Sequence, residues 1–193
     1  MPLTDRQRAQ FDQFGARFSS PPAPATAPRA SESGSGGNLL LTDDPTTSAL
    51  PPHPITIGSL AELTELGRSL RAGSPATAPS GEPPSEWTGG RELDELTGEQ
   101  EASLQRALVI AFTHGTDAVS SYADVLERRF FPLRGVLFQA ENVTVPSGQQ
   151  LVIAPDHDHN PHILNIGTLT LEPGSQIVCR CPVILNVQEL ITH

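Results

Sequence analysis

The chain has 193 residues, with 16 glycines, 19 prolines, 37% hydrophobic and 18% charged residues. That Gly and Pro share exceeds ordinary usage and predicts linker alongside one or two domains. All twelve basic residues are arginine, and against 22 acidic ones they leave a net charge of −10, which argues against nucleic acid and anionic lipid as partners.

No apolar run reaches the roughly 18–20 residues of a membrane span, and the N-terminus lacks the apolar core of a secretory leader. The expected location is therefore cytoplasmic by default, with non-classical export as the alternative. Cys179 and Cys181 are the two cysteines and stand one residue apart, too close for an ordinary disulfide with each other.

Residues 1–88 read as a largely disordered arm rich in Pro, Gly and Ser, with helical segments near 4–18 and 59–72. Thr4 and Gln7 form a capping-box pattern, and Phe11, Phe14 and Phe18 then recur on one helical face. Such a face serves either as a docking helix for a partner or a membrane surface, or as a helix folded back on its own domain. From Ser19 to about Ile57 the composition predicts a linker, with Leu39-Leu40-Leu41 as an apolar island. Ser59 and Glu62 open the second segment, striped by Leu60, Leu63, Leu66 and Leu70, and a further linker spans 74–86. On this reading proteolysis removes roughly the first 88 residues and spares the rest.

Residues 89–132 predict a helical hairpin. Its first helix starts at Thr97 and carries Leu104, Leu108, Ala111 and Phe112 up to Gly115; its second starts at Thr116 and carries Val119, Tyr122, Leu126 and Phe130 up to Pro132. Arg128, Arg129 and Arg134 cluster at its end, where they complement the helix dipole and nearby carboxylates.

From residue 133 the apolar period changes from 3.6 to 2, and the segment repeats. Phe138–Val145 matches Leu164–Leu171 at an offset of 26 residues, and Leu164 matches Leu185 at an offset of 21. Pro146–Ile153 continues in step with Glu172–Cys179, so each copy holds strands and a Gly-bearing turn at Gly148 or Gly174. Alternation sends Phe138, Ala140, Leu164 and Ile166 inward and turns Gln139 and Asn165 to solvent. This pattern resembles the single-stranded right-handed parallel β-helix of pectate-lyase-like proteins, over residues 133–193 only. The resemblance implies an architecture and brings no catalytic motif. The expected fold is thus α+β: arm, helical hairpin, then a short β-solenoid of two to three coils, with a small β-sandwich as the alternative.

One constellation stands out chemically. Asp156, His157, Asp158, His159 and His162 fall where the first copy is five residues longer than the second, at a predicted corner loop. The matching corner of the next copy holds Cys179 and Cys181, and stacked strands lie about 4.8 Å apart. Imidazoles, carboxylates and thiols within that reach suit zinc. The plainer alternative makes the loop a solvated turn and the cysteines small core residues. His114 reads as a helix-terminus partner, and Asn142-Val143-Thr144 as a chance glycosylation sequon on a core strand.

No Gly-rich phosphate loop, Gly-x-Ser-x-Gly elbow or His-Glu-x-x-His motif occurs. The leading expectation is a non-enzymatic binding or structural module. Its exposed last coil, at Leu185, Val187 and Leu190, predicts a homo-oligomer or a protein partner. The alternatives are a polysaccharide-acting lyase or hydrolase, or a metal-dependent enzyme, using the His/Asp-rich loop, and an exported effector.

Overall fold

A computed structural model describes residues 3–18, 37–71, 96–155 and 161–193. The fold is mixed α+β. The described residues form helices α1 (Asp5–Arg17), α2 (Leu60–Arg71), α3 (Gly98–His114) and α4 (Ala123–Phe130), with a 3-10 segment, Thr116–Tyr122, before α4. The strands are β1 (Leu39–Leu41), β2 (His53–Ile57), β3 (Leu133–Val145), β4 (Gln150–Ile153), β5 (His162–Leu171), β6 (Gln176–Cys179) and β7 (Val183–Thr192). None of these helices is long and apolar enough to cross a membrane. Two compact units result: Thr56–Leu133, and a second unit of Met1–Ile55 with Arg134–His193.

The internal repeat is the pairing register of the second unit. One sheet runs β2-β3-β5-β7 and the other β1-β4-β6. Phe138 lies beside Leu164, Leu164 beside Leu185, and Ile153 beside Cys179, all in parallel pairs. Backbone hydrogen bonds repeat from level to level: Ala154 N–H donates to the Leu41 carbonyl, and Arg180 N–H to that of Ile153. The chain turns before β4 and β6 at Gly148 (φ 70°) and Gly174 (φ 75°), a left-handed conformation that glycine adopts without a Cβ penalty.

One hydrophobic core joins the two sheets. Leu39, Leu41, Leu151 and Ile153 face Val136, Phe138, Leu164 and Ile166 within it. The core-facing parity changes along the long strands, from Phe138 and Ala140 to Val143 and Val145, and in β5 from Ile166 to Leu169. A strict two-residue alternation cannot make that change, so each strand bends at the corner between. Gly167 occupies this corner in β5, where an added Cβ would come within 2.5 Å of the Glu141 carbonyl oxygen.

Residues 37–57 differ from the linker expected there. The apolar island is β1, in register with Leu151–Ile153, and Leu39, Leu41 and Leu50 belong to the common core. The composition around these residues is polar, but three leucines placed against an existing sheet bury enough apolar area to offset their ordering. The loop after β1 is held by Asp44, whose carboxylate accepts from Thr46 N–H at 2.8 Å and whose carbonyl accepts from Ser48 N–H at 3.0 Å.

Helix α1 folds back on its own unit. The capping box at Thr4 and Gln7 forms as expected, and Phe11 and Phe14 are buried. Beneath the helix, Gln139, Asn165 and Asn186 stack in register on the outer face of the sheet. Asn186 Nδ2 donates to Asn165 Oδ1 at 2.8 Å, Asn165 Nδ2 to the Phe11 carbonyl at 3.1 Å, and Gln7 Nε2 to the Gln188 carbonyl at 2.9 Å. Arg8 pairs with Glu141. Gln139 and Asn165 therefore do not face solvent as alternation alone implies; both are buried, because α1 lies over them. Gly15 gives the helix its close approach, since a Cβ there would sit 2.3 Å from Gln139 Nε2.

The helical unit is larger than a hairpin. Helix α2 packs on α3 and α4, with Leu60, Leu63 and Leu66 buried. Its first amide, Leu60 N–H, donates to Glu127 Oε2 of α4 at 2.7 Å. Helix α3 opens with the Thr97–Gln100 capping box and stops at Gly115 (φ 95°). The expected second helix is divided, with a 3-10 turn interrupted by a non-helical Val119 (φ −136°) before α4 begins. Arg129 pairs with Glu101 across α4 and α3 at 3.3 Å.

The place of β1 in the core gives a direct test. Leu41→Ala should destabilise the protein by about 2–5 kcal/mol, the range for a fully buried leucine, measured by urea denaturation followed by circular dichroism. A change within about 0.5 kcal/mol, as for exposed linker, would return residues 37–57 to the arm.

Candidate functional site

The chemistry-bearing side chains that the structure gathers lie where the loop after β1 meets the first residue of β5. His162 starts β5 in register with Val136 and Val183, and its side chain is fully buried. Its ring packs edge-on against Phe138, with centroids 5.3 Å apart. Nε2 lies 2.6 Å from Asp43 Oδ1. With Nε2–H donating to that carboxylate, Nδ1 is a buried atom with no hydrogen-bond partner among the described residues. The backbone holds the ring in place, because His162 N–H donates to the Pro182 carbonyl at 2.9 Å and Val136 N–H to that of Pro161 at 3.2 Å.

Cys181 adjoins this pair. It is half-buried against the core, and burial pushes its thiol up to about 11. Cys179 and Asp43 add to the rise, whereas the His162 backbone N–H works against it. Cys179 departs from the small-core expectation. It follows Ile153 in register, yet it is exposed, because β6 is the edge of its sheet and nothing described stacks on it.

Of the metal-ligand candidates, Asp156, His157, Asp158 and His159 lie outside the described residues. His162 is described, and its carboxylate partner is Asp43, a residue that sequence spacing did not single out. No group of three His, Cys, Asp or Glu side chains suited to a metal ion occurs among the described residues. His114, in the last turn of α3, has Nδ1 2.8 Å from Thr113 Oγ1 and is exposed. Val143 is buried on the core side of β3, as the sequon reading assumed.

The signal that locates Asp43 is the leucine triplet before it. Once Leu39–Leu41 is placed beside Leu151–Ile153, the next residues run along the level that precedes β5. No family model, curated protein or solved structure matches the chain.

The pair makes a structural contact between the N-terminal segment and the repeat. Burial, in turn, separates the two thiols chemically, since Cys181 is half-buried and Cys179 is exposed. At pH 8, Cys181 should react with a maleimide far more slowly than the exposed Cys179, since about one Cys181 thiol in a thousand is ionised three pH units below its pKa of about 11. Mass-spectrometric mapping of the labelled sites gives both rates. Equal rates at pH 8 would contradict the buried, uncharged thiol.

Proposed function

We propose that this protein is a non-enzymatic binding and structural module: a short parallel β-solenoid that recruits a protein strand at its open edge. In this reading β3 and β4 make one coil, β5 and β6 the next, and β7 begins another, with β1 stacked on β4 and β2 beside β3 ahead of them. Support comes from the parallel in-register pairing of β3, β5 and β7 and of β1, β4 and β6, the common core between the sheets and the recurring positive-φ glycines. The helical unit is then an insertion between β2 and β3, which are sheet neighbours.

The observation that carries the binding assignment is the exposure of β7. Leu164 and Leu169 are fully buried, whereas Leu185 and Leu190, in register with them one strand further out, are 44% and 58% exposed. Edge strands of soluble proteins are usually blunted by charge, proline or a bulge. Strand β7 has one charged residue, Glu189, and no proline. An edge of this kind is suited to β-strand addition, with main-chain bonds supplying affinity and the apolar positions supplying register. The enzymatic alternatives would draw on Asp156, His157, Asp158 and His159, outside the described residues, and have no observation in their favour.

Hydrogen exchange tests the reading. A synthetic strand with the sequence of residues 162–171, the native neighbour of β7, is added at about 100 µM to the full chain at about 0.1 µM, below the range of weak self-association. Exchange of β7 amides should slow about tenfold, that of β3 should be unchanged, and Leu190→Lys should remove the effect. Unchanged β7 exchange in the wild type would overturn strand addition.

A further inference from the structure

We infer that the strand β7 receives is the β7 of a second copy of this chain, antiparallel to the first; this rests on the strand-addition reading above. The inference comes from the corner in β7. Core-facing positions in this strand follow those of β5: Val183, Leu185 and Val187 on one side of the corner, and Leu190 and Thr192 on the other. The parity of the inward face therefore changes near Gln188. In a straight strand, antiparallel self-pairing about a point midway between two residues would set inward side chains against outward ones, because residues directly opposite share a face of the sheet. The parity change removes that conflict.

Placing a two-fold axis between Val187 and Gln188 sets Leu185 opposite Leu190, Ile184 opposite Ile191 and Asn186 opposite Glu189 of the second copy. Each exposed leucine gains an exposed leucine as its cross-strand partner, on the core side. The register also resolves the charge problem. Two chains of net charge −10 repel, and like charges directly opposite destabilise a strand pair. Here the single acid of the strand meets an amide, and the two Glu189 side chains stand about three residues, roughly 10 Å, apart along the strands. The axis falls at the corner, where the Gln188 carbonyl is already taken by Gln7 of α1. The interface is isologous and closes as a dimer, whereas β7 of one copy adding to β2 of the next would propagate without limit.

Two measurements on the full 193-residue chain test this. Sedimentation equilibrium at tens of micromolar should give a dimer that Leu190→Lys converts to a folded monomer, with unchanged circular dichroism. For orientation, Leu185→Cys and Leu190→Cys are made separately in a Cys179→Ser/Cys181→Ser background. Positions 185 and 190 face each other across the axis. Two copies of position 185 are about 17 Å apart along the strands, beyond the roughly 7 Å Cα limit for a disulfide. The mixed proteins should form the 185–190 disulfide at least about tenfold faster than either alone forms its own. A wild-type monomer, or a dimer whose variants cross-link with themselves as readily as with each other, would overturn the inference. Protection of β7 by the synthetic strand would survive either result, so failure of the dimer and failure of strand addition are separately visible.

Discussion

Parallel, in-register stacking is the constraint on which the rest of the unit depends. Each residue of one level must lie beside its counterpart in the next, so the side-chain order of one strand dictates that of its neighbour. Phe138, Leu164 and Leu185 form one such column, and Val143, Leu169 and Leu190 another. In these two columns the outermost member, on β7, has no described strand beyond it. Leu164 is fully buried between its neighbours, and Leu185 is half-exposed at the margin. The exposed edge thus arises from the periodicity that builds the core.

The outer face of the sheet is governed by the same stacking, with polar side chains. Gln139, Asn165 and Asn186 occupy one column, and amides in such a column can bond to one another while keeping groups free for a covering element. Helix α1 uses those groups: the Phe11 carbonyl accepts from Asn165, while Phe11 and Phe14 supply apolar burial. A helix of 13 residues is marginal in isolation. Its stability comes from this docking, which also shields amides that would otherwise lie open to water. At the other flank, β1 and Asp43 fasten residues 39–43 to the repeat, β1 by its register with Leu151–Ile153 and Asp43 by its hydrogen bond to His162.

What the sequence discloses follows from the range of each interaction. Offsets of 26 and 21 residues are visible because the copies are contiguous, and they are the observed register. The capping boxes at Thr4 and Thr97 and the glycine turns at 148 and 174 are local and were legible too. Leu39–Leu41 was not, because its partner Leu151–Ile153 lies 112 residues downstream, beyond any repeat period. Alternation alone turns Gln139 and Asn165 to solvent, because it states which face a side chain takes and carries no information on what covers that face. For the candidate site, His162 was picked out by its neighbours in a His-rich tract, whereas Asp43 is an ordinary loop acid until β1 is placed.

The long separation between β1 and β4 has a simple physical origin. Strands β2 and β3 are adjacent in the sheet, so the chain leaves at β2 and re-enters at β3 within a short distance. The entropic cost of closing such a loop grows only logarithmically with length, and an insertion that folds as its own unit adds little beyond closing it. With α2, α3 and α4 packed on one another and Leu60 tied to Glu127, the inserted segment holds its own apolar residues Leu63, Leu66, Leu104 and Leu126 out of water. Register between β1 and β4 can therefore be set by side-chain stacking alone. That is why an inserted helical unit hides the β1–β4 pairing in the sequence and leaves it intact in the fold.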